Sequence, residues 1–242
     1  GDVFIVDNAS PNGSYEMLCK HNVQGYTLLR SERNCGYAAG NNLALRYAVQ
    51  QGYRYAWILN NDIVINERNI WDKLVQVLKR DSSVAVVSPD IYAPDGHMFN
   101  RDAVRPSFFD MTVGMFLYRR KGRKLENLGG YGYVYRPQGC CMVCDLEKLQ
   151  KVGFLDEQTF LYSEEIILAE RLRAQGYTCA CCPDTRVVHN HSKTVQSAMR
   201  KKEIRKIKEN SFHYYLTNYR NYGKITSTIA VWFDQLKWML LG

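Results

Sequence analysis

Short apolar runs alternate with segments of helical period along most of this chain. Val3 to Val6 (VFIV) is β-branched and aromatic, and it ends in a dense turn cluster from Asp7 to Gly13. A helix is expected through Lys20, then a second strand over Tyr26 to Leu29. From Ala38 to Gln51 the positions Ala39, Leu43, Tyr47 and Ala48 keep helical spacing, and Gly52 is placed to stop the helix. Tyr55 to Leu59 reads as a third strand. Asn66 is the expected cap of a helix carrying Ile70, Leu74, Val77 and Leu78, and VAVVSP (Val84 to Pro89) reads as a buried strand. Strands that alternate with helices at this spacing predict an α/β domain with a largely parallel sheet.

Residues 90–137 break the rhythm. They are rich in Gly, Tyr, Arg and Pro and read as an irregular insertion near a binding face. The pattern then resumes with a strand over Cys140 to Cys144, helices over 146–152 and 164–175, and a strand over 177–182. Pro183 interrupts it, and Val187 to His189 is a last short strand. From Val195 the chain reads as helical and basic, ending in an amphipathic stripe of Ile225, Ile229, Trp232, Phe233, Leu236 and Leu240. The expected division is a domain over 1–194 and a tail over 195–242.

Charge sharpens that division. The net charge is +8, and the stretch from Lys193 onward alone carries ten Lys/Arg against three acids. A basic tail on a nearly neutral body points to an anionic contact, such as a membrane surface, or else to a solvated helix face. Nucleic acid would make affinity steeply salt-dependent, and no nucleic-acid partner is expected. The eight cysteines include two CxxC spacings, Cys141 to Cys144 and Cys179 to Cys182. Both lie in apolar runs that read as strands, where residues three apart face opposite ways, so buried thiols in a reducing cytoplasm are the better account than zinc.

In an open α/β sheet, ligands gather at the carboxyl ends of strands. Asp7-Asn8, Asn60-Asn61-Asp62 and His189 all fall at such ends. Each alone reads as an ordinary polar turn; together they form a constellation. The sequence resembles the family 2 glycosyltransferases, especially their bacterial rhamnosyltransferase-like branch. IVDNASPNGS, ERNCGYAAGNN (Glu32 to Asn42), LNND (Leu59 to Asp62), FLDEQTFLYSEEIILAERLRAQGY (Phe154 to Tyr177) and VVHNHSKT (Val187 to Thr194) are similar to that family's successive motifs, in order.

The resemblance implies a GT-A-type fold and an inverting transfer of sugar from a nucleoside-diphosphate sugar, UDP- or dTDP-linked, to a glycan or lipid-linked acceptor. It implies Asp62 and His189 as ligands of Mn²⁺ or Mg²⁺, with Asn60 where the family often has an acid. Nucleotide contacts are expected from Asp7, Asn8, Arg33, Asn34, Gly36, Asn41 and Asn61. Glu165 stands at the family's catalytic Asp, one methylene longer, and is the expected general base; the later acid of that motif is Ile167 here. The resemblance also implies a βα unit of roughly 30 residues before the Asp7 strand, so the natural protein is expected to extend upstream. The competing reading is a noncatalytic nucleotide- or glycan-binding relative. The expected setting is cytoplasmic, with the tail able to touch the inner face of a membrane.

Overall fold

The computed structural model describes residues 1–21, 25–99, 101–117, 125–190 and 201–241. His191 to Thr194 of the closing motif, and the start of the expected tail helix, lie outside them. Among the described residues eight strands are present: β1 (Val3–Asp7), β2 (Tyr26–Arg30), β3 (Tyr55–Leu59), β4 (Ile63–Val64), β5 (Val84–Tyr92), β6 (Gly132–Val134), β7 (Cys141–Asp145) and β8 (Thr178–His189). Helices α1 (Ser14–His21), α2 (Tyr37–Gln50) and α3 (Ile70–Arg80) alternate with the early strands. Then follow α4 (Phe108–Met111), α5 (Gly114–Leu117), α6 (Leu146–Lys151), α7 (Glu164–Ala174), α8 (Lys201–Asn218) and α9 (Lys224–Leu241).

The sheet is mixed rather than largely parallel. β1 and β2 pair parallel as a separate ribbon, while the main sheet runs β3-β7-β5-β8-β4 with β6 beside β8. Among the described strands only β5 and β8 pair parallel there; β7 runs against both β3 and β5. Parallel neighbours need a long crossover, usually a helix. Among its described residues the segment between β5 and β7 holds two short helices and β6, and the chain re-enters the sheet in the opposite direction.

Two further expectations change. Pro183 does not end a strand: β8 is continuous, with Cys182 opposite Pro89 and Arg186 opposite Asp90. Residues 183–185 therefore bulge out of the ladder, the place where a residue without an N–H is tolerated. Asn66 is not the cap of α3. Asn69 holds that position in the left-handed region, φ 66°, with no side-chain cap bond.

The sheet buries both faces, so its central strands read as near-continuous apolar runs rather than alternating ones, with Ser88, Asp90 and Asp145 as buried polar exceptions. Ile58, Val86, Met142 and Cys144 pack with α2, α6 and α7 on one side, and Val84, Val87, Cys141 and Cys182 pack with α3 on the other. Cys141 and Cys144 thus face opposite ways, as do Cys179 and Cys182. The Arg-rich insertion is tethered by ion pairs: Arg101 to buried Asp90, Arg105 to Glu170 at 2.7 Å, and Arg136 to Asp102 at 2.6 Å.

α8 and α9 form a hairpin, marked by Ser227 Oγ 3.3 Å from His213 Nε2. α8 packs on α7 through Tyr215 and Leu216, both fully buried against Ile167 and Met111. The Tyr214 hydroxyl donates to Asp156 (2.9 Å), Tyr219 bonds the same carboxylate, and Arg220 Nη2 donates to the Pro106 carbonyl (2.8 Å).

Candidate functional site

The carboxyl end of β1 meets the amino end of α2. Asp7 is buried; its carboxylate accepts the Ser10 N–H at 3.3 Å and lies 3.7 Å from Arg30 Nε. Asn8 Nδ2 donates to Asn34 Oδ1 (3.1 Å) and to the Gly36 carbonyl (2.9 Å), while Asn34 Oδ1 also accepts the Gly36 N–H (3.0 Å). Gly36 is required by its surroundings. Its φ is +95°, and a Cβ there would sit 2.0 Å from the Phe160 carbonyl oxygen. This close approach locks Tyr37 N–H onto Phe160 O at 3.0 Å, so the start of α2 is held by the loop that leads into α7. Arg33 and Asn34 are exposed beside this junction. Asn41 lies one turn along, its amide turned back on the Tyr37 carbonyl (2.9 Å), apart from the Asn8–Asn34–Gly36 knot.

At the end of β3 the Asn60 N–H bonds the Cys140 carbonyl (2.9 Å), fixing the turn against the start of β7. Asn61 is exposed at its tip. The chain then enters β4, which pairs antiparallel with the end of β8, Ile63 opposite His189. The Asn190 N–H donates to the Asp62 carbonyl at 2.8 Å. This pairing sets His189 Nε2 3.1 Å from Asp62 Oδ1. Two neighbouring donors on an octahedral ion with bonds of about 2.1 Å stand about 3 Å apart, so the pair has the separation of two adjacent ligands. The carboxylate suits Mg²⁺ or Mn²⁺, and the imidazole is a softer donor that Mn²⁺ accepts more readily than Mg²⁺. Among the described residues no third His, Cys, Asp or Glu completes a cluster. An ion held here would therefore draw its other ligands from water or a bound anion.

Cys140 joins the two halves. Both Asp62 and Glu165 act electrostatically on its thiol, which burial above all pushes up to about 12. Glu165 lies over Gly139, so close that a Cβ on that glycine would be 2.6 Å from Glu165 Oε1. Arg136 Nη1 stands 3.7 Å from Glu165 Oε2 while its other donors hold Asp102. The Tyr37 hydroxyl donates to the Gly139 carbonyl at 2.5 Å, closing the ring from α2 back to β7. Burial, then the charge of Glu165, drives the Tyr37 hydroxyl well above its ordinary range, so it remains a donor.

The backbone before Glu165 is strained. Tyr162 and Ser163 both take positive φ, 72° and 67°, and Ser163 makes no side-chain cap bond to α7. Glu164 is 3% exposed, and its Oε1 has no hydrogen-bond partner among the described residues. Burial, followed by the charge of Glu165, raises its carboxyl to about 7. The acids at this helix start are thus unlike one another, one buried and one partly open.

Gly139, Arg136, Tyr37 and Phe160 escape a reading of the sequence. Their roles come from contacts between segments far apart in the chain, and only the lone glycine in PQGCC offered a signal. Asn42 is likewise structural: buried, it exchanges hydrogen bonds with Leu155 and reaches Glu157.

A mixed sheet flanked by helices, with further helices at its C-terminal end, is a GT-A-like glycosyltransferase fold. Residues 2–152 match Glycosyl transferase family 2, and the chain belongs to that family. It is 26% identical over 191 residues to the low-salt glycan biosynthesis hexosyltransferase Agl10 of Haloferax volcanii, covering 77% of this chain and 58% of that protein. It is 24% identical over 209 residues to the N-acetylglucosaminyl-diphospho-decaprenol L-rhamnosyltransferase of Mycobacterium tuberculosis, covering 78% of this chain and 66% of that one. The chain therefore spans about three-fifths to two-thirds of these curated relatives. In fold it resembles the mannosyltransferase PcManGT from Pyrobaculum calidifontis, solved in complex with GDP-Man and Mn²⁺. The TM-score is 0.59 at 18% identity, over 95% of this chain and 58% of that one.

Proposed function

We propose that this chain is the catalytic part of an inverting glycosyltransferase that moves a sugar from a nucleoside diphosphate to a glycan or lipid-linked acceptor in surface-polysaccharide synthesis. One observation carries the reading: the turn that leads into the Asp62–His189 pair and the carboxylate of Glu165 rest on adjacent residues just before β7, the Asn60 N–H on the Cys140 carbonyl (2.9 Å) and Glu165 over Gly139. A donor whose diphosphate rests at Asp62 would turn its anomeric carbon toward Glu165. Glu165 takes the proton from the acceptor hydroxyl as that oxygen attacks. The new C–O bond forms as the bond to the diphosphate breaks, inverting the anomeric carbon. Asp62 and His189 would hold Mn²⁺ or Mg²⁺, whose charge, when bound, offsets that gathering on the leaving diphosphate. The dependence on metal is supported by the Mn²⁺ in PcManGT and by the separation of the two donors.

Asp7, Asn8, Arg33, Asn34, Gly36 and Asn61 would receive the nucleotide. The amino end of α2, with its N–H groups and dipole, favours phosphate there. Asn41 would act from within α2 by steadying its first turn. The proposed setting is the cytoplasmic face of a membrane, supported by the cationic C-terminal stretch and by the lipid-linked substrate in the mycobacterial relative's name.

Release of nucleoside diphosphate from a panel of UDP-, dTDP- and GDP-sugars, with Mn²⁺ and a lipid-linked acceptor, tests this. Glu165→Gln should lower turnover by about a hundredfold to ten-thousandfold while nucleotide binding persists. Equal turnover in that variant would refute the assignment of the base.

A further inference from the structure

α9 is turned the opposite way from a helix that packs by its apolar face. Its fully buried residues are Ser227 and Ala230, whereas Ile225 (79% exposed), Trp232 (54%), Leu240 (64%), Ile229 and Met239 face outward. At 3.6 residues per turn these five fall in one stripe, opposite Ser227 and Ala230. The apolar surface continues onto the insertion: Phe116 lies 6.3 Å from Phe233, and Phe109, Val113 and Leu117 are also exposed. So large a joined apolar surface marks a place of contact.

Its flank is cationic. The hairpin is antiparallel, with His213 beside Ser227 and Lys208 within electrostatic reach of Asp234. The start of α8, carrying exposed Lys201, Lys202 and Lys206, thus runs alongside the Trp232–Leu240 end of α9. A second copy meeting this face about a two-fold axis would bring these charges toward their counterparts, which disfavours self-association. An anionic lipid surface satisfies both features. Among the described residues no helix is long and apolar enough to cross a membrane, so the contact is one of lying on the surface.

We infer that α9 and the α4–α5 turn form a single face that docks on an anionic bilayer, with the apolar stripe at the headgroup–acyl boundary and the lysines of α8 over the headgroups. The inference deepens the lipid-linked part of the proposed function and does not depend on which residue is the base. It also fixes an orientation. Ser211 Oγ of α8 donates to the Leu161 carbonyl (2.8 Å), and Lys208 sits 4.8 Å over the Tyr162 ring, so α8 is tied to the strained segment just before Glu165. Docking then presents one side of that carboxylate to a substrate embedded in the membrane.

Flotation with phosphatidylcholine vesicles, with and without phosphatidylglycerol, tests the face. Binding should require phosphatidylglycerol and weaken with salt. Trp232→Ser with Leu240→Ser, and separately Leu117→Ser, should each weaken partition about tenfold or more, with unchanged thermal unfolding. Equal flotation of the variants overturns the inference. So does a concentration-dependent dimer, abolished by Trp232→Ser, in a protein that ignores the vesicles. Titration of the same variants with nucleoside diphosphate reports separately on the transferase reading, so the two can fail independently.

Discussion

Replacing Glu164 by Gln should change how stability depends on pH, and the structure sets the size of the change. The Glu164 carboxyl is enclosed beside Glu165 with one oxygen lacking a partner, and it moves from 4.5 to about 7 on folding. A carboxyl raised in this way is bound to its proton more tightly in the folded chain than in the unfolded one. Stability is therefore lost as pH rises, starting near the unfolded value of 4.5 and ending once the folded value near 7 is passed. The shift corresponds to about 3 kcal/mol between the two limits. Gln has nearly the same shape and no proton to lose. It carries a constant cost for its buried amide, but that cost cancels when the two proteins are compared across pH.

Urea unfolding from about pH 4 to about pH 8 should thus show wild type losing about 3 kcal/mol relative to Glu164→Gln. In thermal unfolding the same difference is about 6–12 °C for a chain of this size. Parallel stability curves for the two proteins would refute the reasoning, as would a wild type that gains on the variant with rising pH. The consequence for the site is direct. A Glu164 that keeps its proton into the neutral range spares Glu165 a like charge beside it, leaving one acid poised to accept.

Gly139→Ala should lower turnover by about a hundredfold, because a Cβ at 2.6 Å would push the Glu165 carboxylate aside by the better part of an ångström. Unfolding should shift as well, by about 1–3 kcal/mol, since the added Cβ also meets Glu165 Cγ at 2.9 Å and the whole side chain must move; steady-state kinetics beside a thermal melt checks both, and undiminished kcat would contradict the placement of Glu165. Asp62→Asn should weaken the Mn²⁺-dependent part of nucleotide binding about tenfold to a hundredfold, read by calorimetric titration with and without the ion. An identical Mn²⁺ response in the variant would remove Asp62 from the metal.

By itself the sequence determined the order of elements and the position of the chemistry along them. The periods of the apolar residues place β1, β3, β5, α2 and α7 within a residue or a few of their observed limits, because those segments bury a face whose spacing the backbone geometry dictates. It also determined that Asp7 and His189 end strands, that Asp62 lies in the turn after one, and that Glu165 begins a helix. Strand direction was decided elsewhere. β7 runs antiparallel to β3 and β5, and the apolar pattern could not choose that direction, since both directions bury the same strand. The pairing of Asp62 with His189 depends on β4 lying against the end of β8, a contact across more than half the chain. Glu165 rests on Gly139 and Arg136 for the same kind of reason. The amphipathic stripe of α9 was legible as a stripe, but whether it faced the core or the solvent was not. Local pattern records that a face is apolar; only the packing of Ser227 and Ala230 against the rest of the protein decided that the apolar face of α9 looks outward.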